Sequence, residues 1–297
     1  MVDGQQTEVT GGERPPVLTV GLLQTAPVFG EVDSNIARII DLRDRLGNVD
    51  LVLTPELALN GYGFGPGADL QALTADDPRL DSLVSVPAAI GIGFAENAGR
   101  GLPRNTYMLA DSSARTRDFQ HKIHPVSYSP WNEHLSFEAG IVLETAVIRG
   151  ARCATVICND MWHPVVPWLA ARAGAEVLIV PVASIDGTNP DQIQRTWQVI
   201  LEHTALLLQC YVVFINRCGT DGGARFWGGS RILGPDGNTL ANAGDSETIL
   251  EATLDLAALR KLRADTPILA EARNSFVIDT LTRAGLAPEP RGGGRHV

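Results

Sequence analysis

The sequence is poor in cysteine and holds no long apolar run. Its 297 residues include four cysteines, none of them in a C-x-x-C pair, so we predict no disulfide scaffold and a reducing compartment. No stretch reaches the roughly 18 to 20 apolar residues of a membrane helix, and the amino-terminal segment lacks the basic flank and apolar centre of a signal peptide. These absences favour a cytoplasmic protein with no membrane partner.

The chain also lacks an excess of basic residues. Its 34 acidic and 24 basic side chains give a net charge of -10. Such a surface repels phosphate backbones, so we expect no nucleic acid partner. Hydrophobic residues make up 44% of the chain, which is enough for a buried sheet. We predict one large α/β domain, although the length would also allow two average domains.

Motifs for nucleotide binding, serine catalysis and metal binding are missing. Neither lysine stands in the glycine frame of a P-loop, and no G-x-G-x-x-G is complete. The serine elbow G-x-S-x-G fails around Ser230, because Ile232 stands in the place of its last glycine. His121 and His124 come without an acidic partner motif, so ordinary surface histidines are favoured over a zinc site. The sequence therefore predicts no metal site and gives no support to nucleotide binding.

Short apolar runs alternate with helical patterns through most of the chain. The segments predicted as strands are VLTVGLLQTA, DLVLTPE, PAAIGIGFA, NTYMLAD, RCATVIC, EVLIVPVA, YVVFINRC and ETILEATLD. The segments predicted as helices are VDSNIARIIDLRDRL, with Asp33 or Ser34 as its cap, PVVPWLAARAG, PDQIQRTWQVILEHTALLLQ and LAALRKLRAD. Hairpins are expected through GRGLPR and GPDGN. This alternation predicts mixed sheets covered by helices.

Both chain ends lack the alternating pattern. Residues 1–15 are polar and glycine-rich, and the final segment APEPRGGGRHV has the same character, so we predict that both are flexible. We expect a single domain over residues 16–275 and a carboxyl-terminal tail over residues 276–297.

Glu56 stands where an apolar strand ends, in LVLTPELALNGYGFGPG. A carboxylate at the end of a buried strand, followed by a glycine-rich loop, is placed to be partly desolvated, and desolvation raises its pKa towards the range of a general base. Taken alone, a helix-cap or surface glutamate is the simpler interpretation. Glu56 is therefore a candidate that needs partners.

Lys122, in FQHKIHP, is one of only two lysines among the 24 basic residues. A compact ammonium can donate a proton or stabilise an oxyanion in a way that a planar guanidinium does not copy. Two lysines could also remain by chance. The other, Lys261, lies in an exposed-looking helix and is more simply a solvated charge.

Cys158, in RCATVICNDMWHP, follows an apolar strand, and a helix is predicted to begin near His163. The thiol should therefore lie on a tight turn at the carboxyl end of the strand, where α/β sheets build their sites and where backbone N–H groups can face an oxyanion. Glu56 and Lys122 would supply the base and the cation that a reactive thiol needs. Cys153 lies inside the strand and is predicted to be a core residue.

Glu56, Lys122 and Cys158 occur in this order along the chain, each within a longer sequence motif. These are the opening LLQTAPVFGEVDSNIARI, PELALNGY, HKIHP with WNEHLSFEAG, VICNDMWHP, AEVLIVPVA and FWGGSRILGPDG. Through these motifs, roughly residues 17 to 275 resemble the nitrilase superfamily, also called carbon-nitrogen hydrolases, in its amidase-like branch.

The resemblance implies an α/β fold, a four-layer α-β-β-α sandwich, and a thiol-dependent amidohydrolase. Such an enzyme cleaves a small amide or N-carbamoyl compound through a thioester, without a cofactor. Glu56 matches the general base, Lys122 the lysine that stabilises the oxyanion, and Cys158 the nucleophile. Glu133 matches a second glutamate that orients the lysine, with a surface acid as the alternative. The backbone N–H of Asn159 matches the remainder of the oxyanion hole.

Substrate binding and assembly are implied less directly. The aromatic residues Tyr62, Trp131, Trp162 and Trp197 could contact a small-molecule amide, although core packing is the default for each. Members of the superfamily commonly pair through one face of the sandwich. The resemblance therefore implies a homodimer or a higher homo-oligomer, with the tail over residues 276–297 reaching towards a partner subunit.

Alternatives remain within and outside hydrolysis of amides. True nitrilases usually carry tryptophan directly after the nucleophile, whereas this chain has Asn159, which favours amide over nitrile cleavage. Transfer of the acyl group to an amine is a second possibility, because access to the pocket decides between water and amine. A catalytically silent binding or scaffold protein is a third, and the presence of Glu56, Lys122 and Cys158 together argues against it.

Overall fold

The computed structural model describes residues 16–63, 70–129 and 131–286. The segments at residues 1–15 and 287–297, which we predicted to be flexible tails, and most of the glycine-rich loop after Tyr62 lie outside the described residues. None of the described helices is long and apolar enough to cross a membrane.

Strands and helices alternate along the described chain. The strands are β1 (Val17–Gln24), β2 (Leu51–Leu53), β3 (Ala89–Glu96), β4 (Arg104–Asp111), β5 (Thr116–His121), β6 (Ala146–Ile148), β7 (Ala151–Thr155), β8 (Val177–Val182), β9 (Tyr211–Asn216), β10 (Cys218–Asp221), β11 (Ala224–Trp227), β12 (Arg231–Leu233), β13 (Thr239–Asn242) and β14 (Thr248–Asp255). The α-helices are α1 (Val32–Arg43), α2 (Pro78–Val84), α3 (Val165–Arg172), α4 (Pro190–Leu208), α5 (Leu256–Asp265), α6 (Ile268–Glu271) and α7 (Asn274–Arg283). Short 3₁₀ helices cover Glu133–Leu135 and Cys158–Trp162.

Twelve of these strands form two six-stranded sheets. The first sheet has the order β14-β1-β2-β3-β4-β5, and the second has the order β13-β12-β9-β8-β7-β6. The strands at the centre of each sheet are parallel: β1, β2 and β3 in the first, β7, β8 and β9 in the second. The outer pairs are antiparallel. Candidate catalytic residues follow the carboxyl ends of strands in both sheets.

Three apolar clusters separate four layers. One lies between the sheets and joins β1 and β2 to β7, β8 and β9, with Leu22 and Ile179 among its fully buried members. A second packs α3 and α4 on the outer face of the second sheet, and a third packs α1 and α2 on the outer face of the first. Burial of apolar surface in all three stabilises the stacking of the layers. The predicted four-layer α-β-β-α sandwich is confirmed.

Most of the predicted elements are present. Each predicted strand and helix is found, and the hairpins form through GRGLPR and GPDGN. The prediction of Asp33 or Ser34 as the cap of α1 was wrong. The cap position belongs to Glu31, and it makes no side-chain capping bond.

Several short elements were not predicted from the sequence, namely α2, α6, α7, β5, β6, β10 and β11. Three of the six residues of β5 are exposed and five are polar, so this strand has no apolar pattern to detect. The boundary predicted at residue 275 falls inside α7, so the chain continues as a helix past it.

Candidate active site

Glu56 lies in a turn that follows β2 at the carboxyl end of the first sheet. Thr54 fastens this turn to the neighbouring strand, because its hydroxyl donates to the Gly91 carbonyl at 3.0 Å. Gly93 on β3 allows the close approach: a Cβ at this position would lie 2.4 Å from the Pro55 carbonyl oxygen and 2.7 Å from the Leu57 nitrogen. Only glycine leaves room for the turn that carries Glu56.

Three donors from different segments hold the Glu56 carboxylate. Asn105 on β4 donates to Oε1 at 2.8 Å, the Lys122 ammonium lies 2.7 Å from Oε1, and the Ala183 backbone N–H donates to Oε2 at 2.8 Å. The side chain is 1% exposed. Burial raises the pKa of Glu56, the Lys122 ammonium opposes this, and the nearby charge of Glu133 adds to it. A raised pKa suits a carboxylate that must take up a proton and release it again.

Lys122 follows β5 and is fully buried. Its backbone is fixed on both sides, because its N–H donates to the Asn105 carbonyl at 2.8 Å and its own carbonyl accepts from Gly140 at 2.7 Å. Burial lowers the pKa of Lys122, but the carboxylates of Glu133 and Glu56 outweigh it and raise the pKa well above its usual range. The ammonium therefore stays charged.

Glu133 opens a short 3₁₀ helix and lies on the other side of the same ammonium. Its two oxygens lie 2.9 and 2.7 Å from Lys122 Nζ, and the Val126 backbone N–H donates to Oε2 at 2.9 Å. The Tyr62 hydroxyl donates to Oε1. Two carboxylates thus share one buried ammonium, which leaves the group with one excess negative charge when both are ionised.

Cys158 begins the 3₁₀ helix that follows β7. Its φ of 45° is in the left-handed region, which is uncommon for any residue but glycine and is often a feature of active sites. Unlike the three buried charged residues, it is partly exposed to solvent. Burial raises the pKa of its thiol well above the usual range, and Glu56 adds to this, while Lys122 and the Ala183 N–H oppose it. The thiol is therefore uncharged at rest and needs a base.

The remaining predicted residues lie around this group in different ways. Asn159 follows the nucleophile position, and its side chain donates to the His124 carbonyl at 2.9 Å. The ring of Trp131 is partly buried and contacts Tyr62 edge to face at 5.8 Å. Trp162 is 40% exposed. We expected Tyr62 to bind substrate, but its hydroxyl is engaged by Glu133.

Trp197 is a core residue. Its side chain is 2% exposed and belongs to the cluster beneath α3 and α4. Its indole N–H donates to the Ser184 hydroxyl at 3.2 Å, and its ring contacts Phe214 at 5.1 Å. Its packing against Phe214 and Trp162 favours the core role that we gave as the default, and contact of Trp197 with substrate stays a prediction.

Two histidines beside Lys122 are paired with different carboxylates. His121 Nε2 lies 2.8 Å from Glu96, and His124 Nδ1 lies 2.9 Å from Asp160. Among the described residues, no group of three or more His, Cys, Asp or Glu side chains is arranged to hold a metal ion.

Sequence reasoning missed several groups of this site. Asn105 had no motif around it, and the contribution of Ala183 is a backbone N–H that no side-chain pattern encodes. Gly93 and Asp160 lie inside segments that we quoted, but their roles depend on which strands become neighbours. The strand ends themselves were the only signal available.

Comparisons with known proteins identify the family of the chain. The profile of the family described as carbon-nitrogen hydrolase matches residues 19–264. A protein of Pseudomonas protegens named "Hydrolase in pqqF 5'region" is 28% identical over 272 residues, which cover 90% of this chain and 93% of that protein. The (R)-stereoselective amidase of a Pseudomonas species is 29% identical over 263 residues, covering 86% of this chain and 92% of that protein.

Solved structures share the fold. The amidase from Nesterenkonia AN1, of the nitrilase superfamily, superposes with a TM-score of 0.75 at 23% identity and covers 91% of this chain and 99% of its own. The family match spans most of the chain, and the named relatives include amidases. The chain therefore belongs to the carbon-nitrogen hydrolase family and is a hydrolase of non-peptide carbon-nitrogen bonds.

Proposed function

We propose that the chain is a thiol-dependent amidohydrolase that cleaves a small amide or N-carbamoyl compound through a thioester on Cys158. One observation carries the proposal. The buried ammonium of Lys122 lies between Glu56 and Glu133. The Ala183 N–H donates to Glu56, and hydrogen bonding by the same N–H lowers the pKa of the Cys158 thiol. These contacts support a site in which Glu56 serves as the base, Lys122 as the cation and Cys158 as the nucleophile.

The first half of the reaction forms the thioester. Glu56 takes the thiol proton, and the sulfur of Cys158 attacks the carbonyl carbon of the amide. The Lys122 ammonium, which carries three N–H donors, then stabilises the oxyanion together with the backbone N–H of Asn159. The protonated Glu56 then gives its proton to the departing nitrogen, and ammonia or an amine leaves.

The second half regenerates the thiol. Glu56 is again ionised and takes a proton from water, which attacks the thioester carbonyl. Collapse of the second tetrahedral intermediate breaks the carbon-sulfur bond, and the proton held by Glu56 returns to the sulfur of Cys158. The products are the resting enzyme and a carboxylic acid from an amide, or carbamic acid, which breaks down to carbon dioxide and ammonia, from an N-carbamoyl compound. The raised pKa of Glu56 supports both directions of proton transfer.

Release of ammonia or amine from a panel of linear amides and N-carbamoyl compounds tests this proposal. We expect turnover by the wild type and none by Cys158→Ala, with Cys210→Ala as a matched control because Cys210 is a buried cysteine at the amino end of β9. Peptide mass spectrometry after an acid quench should detect the acyl group on Cys158. Unchanged turnover in Cys158→Ala, or no release from any compound, contradicts the proposal.

The fate of the thioester is measured in the same assay. We propose water as the acceptor, because the relatives with a named activity reported above are amidases. When a primary amine is added, formation of acid should still match ammonia release. Formation of a new amide in place of the acid would favour acyl transfer instead.

We further propose that the enzyme works in the cytoplasm as a homo-oligomer. All four cysteines are free, and a catalytic thiol must remain reduced. Large apolar side chains are exposed on α4 and α7, among them Leu207 at 52%, Phe276 at 62% and Ile278 at 62%, and such surfaces often mark protein interfaces. Light scattering after size-exclusion chromatography measures the assembly, and a monomer at working concentration contradicts it.

A further inference from the structure

A second set of contacts joins the turn after Cys158 to the loop after Lys122. The carboxylate of Asp160 accepts the backbone N–H of Ile123 at 3.0 Å and that of His124 at 2.7 Å, and it lies 2.9 Å from His124 Nδ1. In the opposite direction, the side chain of Asn159 donates to the His124 carbonyl at 2.9 Å. Two residues that follow the nucleophile position thus hold two residues that follow the lysine.

Burial of the Asp160 carboxylate costs free energy, and its hydrogen-bond partners Ile123 and His124 both belong to the loop after Lys122. Its side chain is 1% exposed, and no lysine or arginine of the described residues forms an ion pair with it. A buried carboxylate is tolerated only when hydrogen bonds replace its hydration. Here the hydrogen bonds come from Ile123 and His124. The free-energy cost of burying the carboxylate is therefore offset only while the loop after Lys122 stays against the turn after Cys158.

A stacked pair of histidines also joins the loop after Lys122 to the turn after Cys158. The rings of His124 and His163 lie 3.8 Å apart, centroid to centroid, with an angle of 15° between their planes. His163 comes five residues after Cys158 and follows the 3₁₀ helix of the nucleophile turn. The imidazole of His124 is therefore held at its Nδ1 by Asp160 and on its face by His163.

The connection crosses between the two sheets. Lys122 follows β5 of the first sheet, whereas Cys158 follows β7 of the second. We infer that Asp160 is a positioning residue that sets the separation between the Lys122 ammonium and the Cys158 sulfur. Its consequence for turnover rests on the proposed function, since the oxyanion must reach Lys122 while the substrate is bonded to Cys158. A misplacement of about 1 Å at such a centre can cost about 100-fold in rate.

Asp160→Asn tests this inference, because the amide keeps the shape but places an NH₂ group against one of the donors that face the carboxylate. Asp111→Asn is the matched control: Asp111 is 2% exposed and accepts backbone N–H groups after β4, away from the catalytic residues. Two rates are measured: alkylation of each cysteine by iodoacetamide, followed by peptide mass spectrometry, and ammonia release from an amide that the wild type cleaves.

We expect Asp160→Asn to lower kcat by about 100-fold while KM changes by less than about twofold. Alkylation of Cys158 should slow by about tenfold, because Glu56 and Lys122 no longer face the sulfur correctly. The three buried cysteines should stay unreactive. In Asp111→Asn, both rates should remain those of the wild type.

A purely structural role predicts a different pattern. A loosened fold exposes the buried cysteines, so faster alkylation of Cys153, Cys210 or Cys218 in Asp160→Asn overturns the inference. An unchanged kcat together with an unchanged alkylation rate of Cys158 overturns it as well. If Asp160→Asn does not fold, Asn159→Ala tests the inference instead. This variant removes the amide that donates to the His124 carbonyl, and Asn159 is only partly buried. The variant should slow both rates, and wild-type values would overturn the inference.

The two failures are distinguishable. If the wild type releases no ammonia from any compound, the proposed function fails, and the ratio of Cys158 alkylation rates between wild type and Asp160→Asn still decides whether Asp160 positions the sulfur.

Discussion

The backbone N–H of Ala183 donates to Oε2 of Glu56 at 2.8 Å, so a residue that follows β8 of the second sheet holds a carboxylate of the first. Together with Asn105 and Lys122, it surrounds the carboxylate with donors from three separate segments. Donors fixed by sheet geometry would keep Glu56 in place during the proposed reaction without a change of shape.

The pH dependence of kcat/KM should report Glu56. Its pKa is raised by burial, and the base is active only when ionised, so activity should fall as the pH decreases through a value above the ordinary 4.5 of a glutamate. The Asn105 amide lowers the pKa of Glu56, so Asn105→Ala should move this acid limb to higher pH. An acid limb that is identical in both proteins would contradict the assignment of Glu56 as the base.

Glu133→Gln should lower kcat by about 100-fold, because Lys122 then loses one of the two charges that keep it oriented and protonated. Glu138→Gln is the control, since Glu138 lies near it in the chain but has a side chain that is 43% exposed and only a 3.7 Å contact with Arg104. Steady-state kinetics and thermal unfolding of both variants provide the measurement. Equal activity of the two variants would show that Glu133 has no part in the chemistry.

Tyr62→Phe separates a positioning role from a binding role. The variant keeps the ring against Trp131 but removes the hydroxyl that donates to Glu133. A hydrogen bond to a charged group contributes about 1.5–3 kcal/mol, so stability should fall by this order. Since the hydroxyl faces Glu133, we expect a lower kcat and a nearly constant KM. Tyr211→Phe, which removes a hydroxyl bonded to the Asp255 carbonyl, controls for loss of a remote hydrogen bond, and a raised KM alone in Tyr62→Phe would restore the binding role.

Gly93→Ala should disturb the base without touching substrate. The added methyl group would meet the backbone of Pro55 and Leu57 rather than a movable side chain, and overpacking of this kind costs about 1–3 kcal/mol. We expect a lower melting temperature and a reduced kcat. At Gly244 nothing lies within 4 Å of an added Cβ, so Gly244→Ala should behave as the wild type, and the same behaviour in Gly93→Ala would disprove the packing argument.

The sequence predicted the layers better than the contacts. Apolar runs such as those of β8 and β9 are continuous because both faces are buried, and this pattern can be detected without a structure. β5 was not predicted, since five of its six residues are polar and three are exposed. The candidate residues Glu56, Lys122 and Cys158 could be proposed because each follows the end of a strand and because the surrounding segments resemble a known family.

The direction of individual side chains could not be predicted in the same way. Tyr62 and Trp197 both looked like candidates for substrate contact, yet one donates to Glu133 and the other fills the core beneath α4. Their orientation is decided by neighbours that are distant in sequence. The same holds for Asp160, whose partners lie 36 and 37 residues earlier in the chain.

The residues of the candidate site come from both sheets, so a protein that resembles only one half of this chain cannot be assumed to share the site. A protein that resembles only residues up to the end of β5 would share the turn of Glu56 but not the proposed nucleophile. One that resembles only the segment from β6 onwards would carry the thiol without the carboxylate that we propose deprotonates it. The Ala183 N–H joins the second sheet to the Glu56 carboxylate of the first. The proposed reaction can therefore be inferred for a distant relative only when both halves of the sandwich are recognised in it.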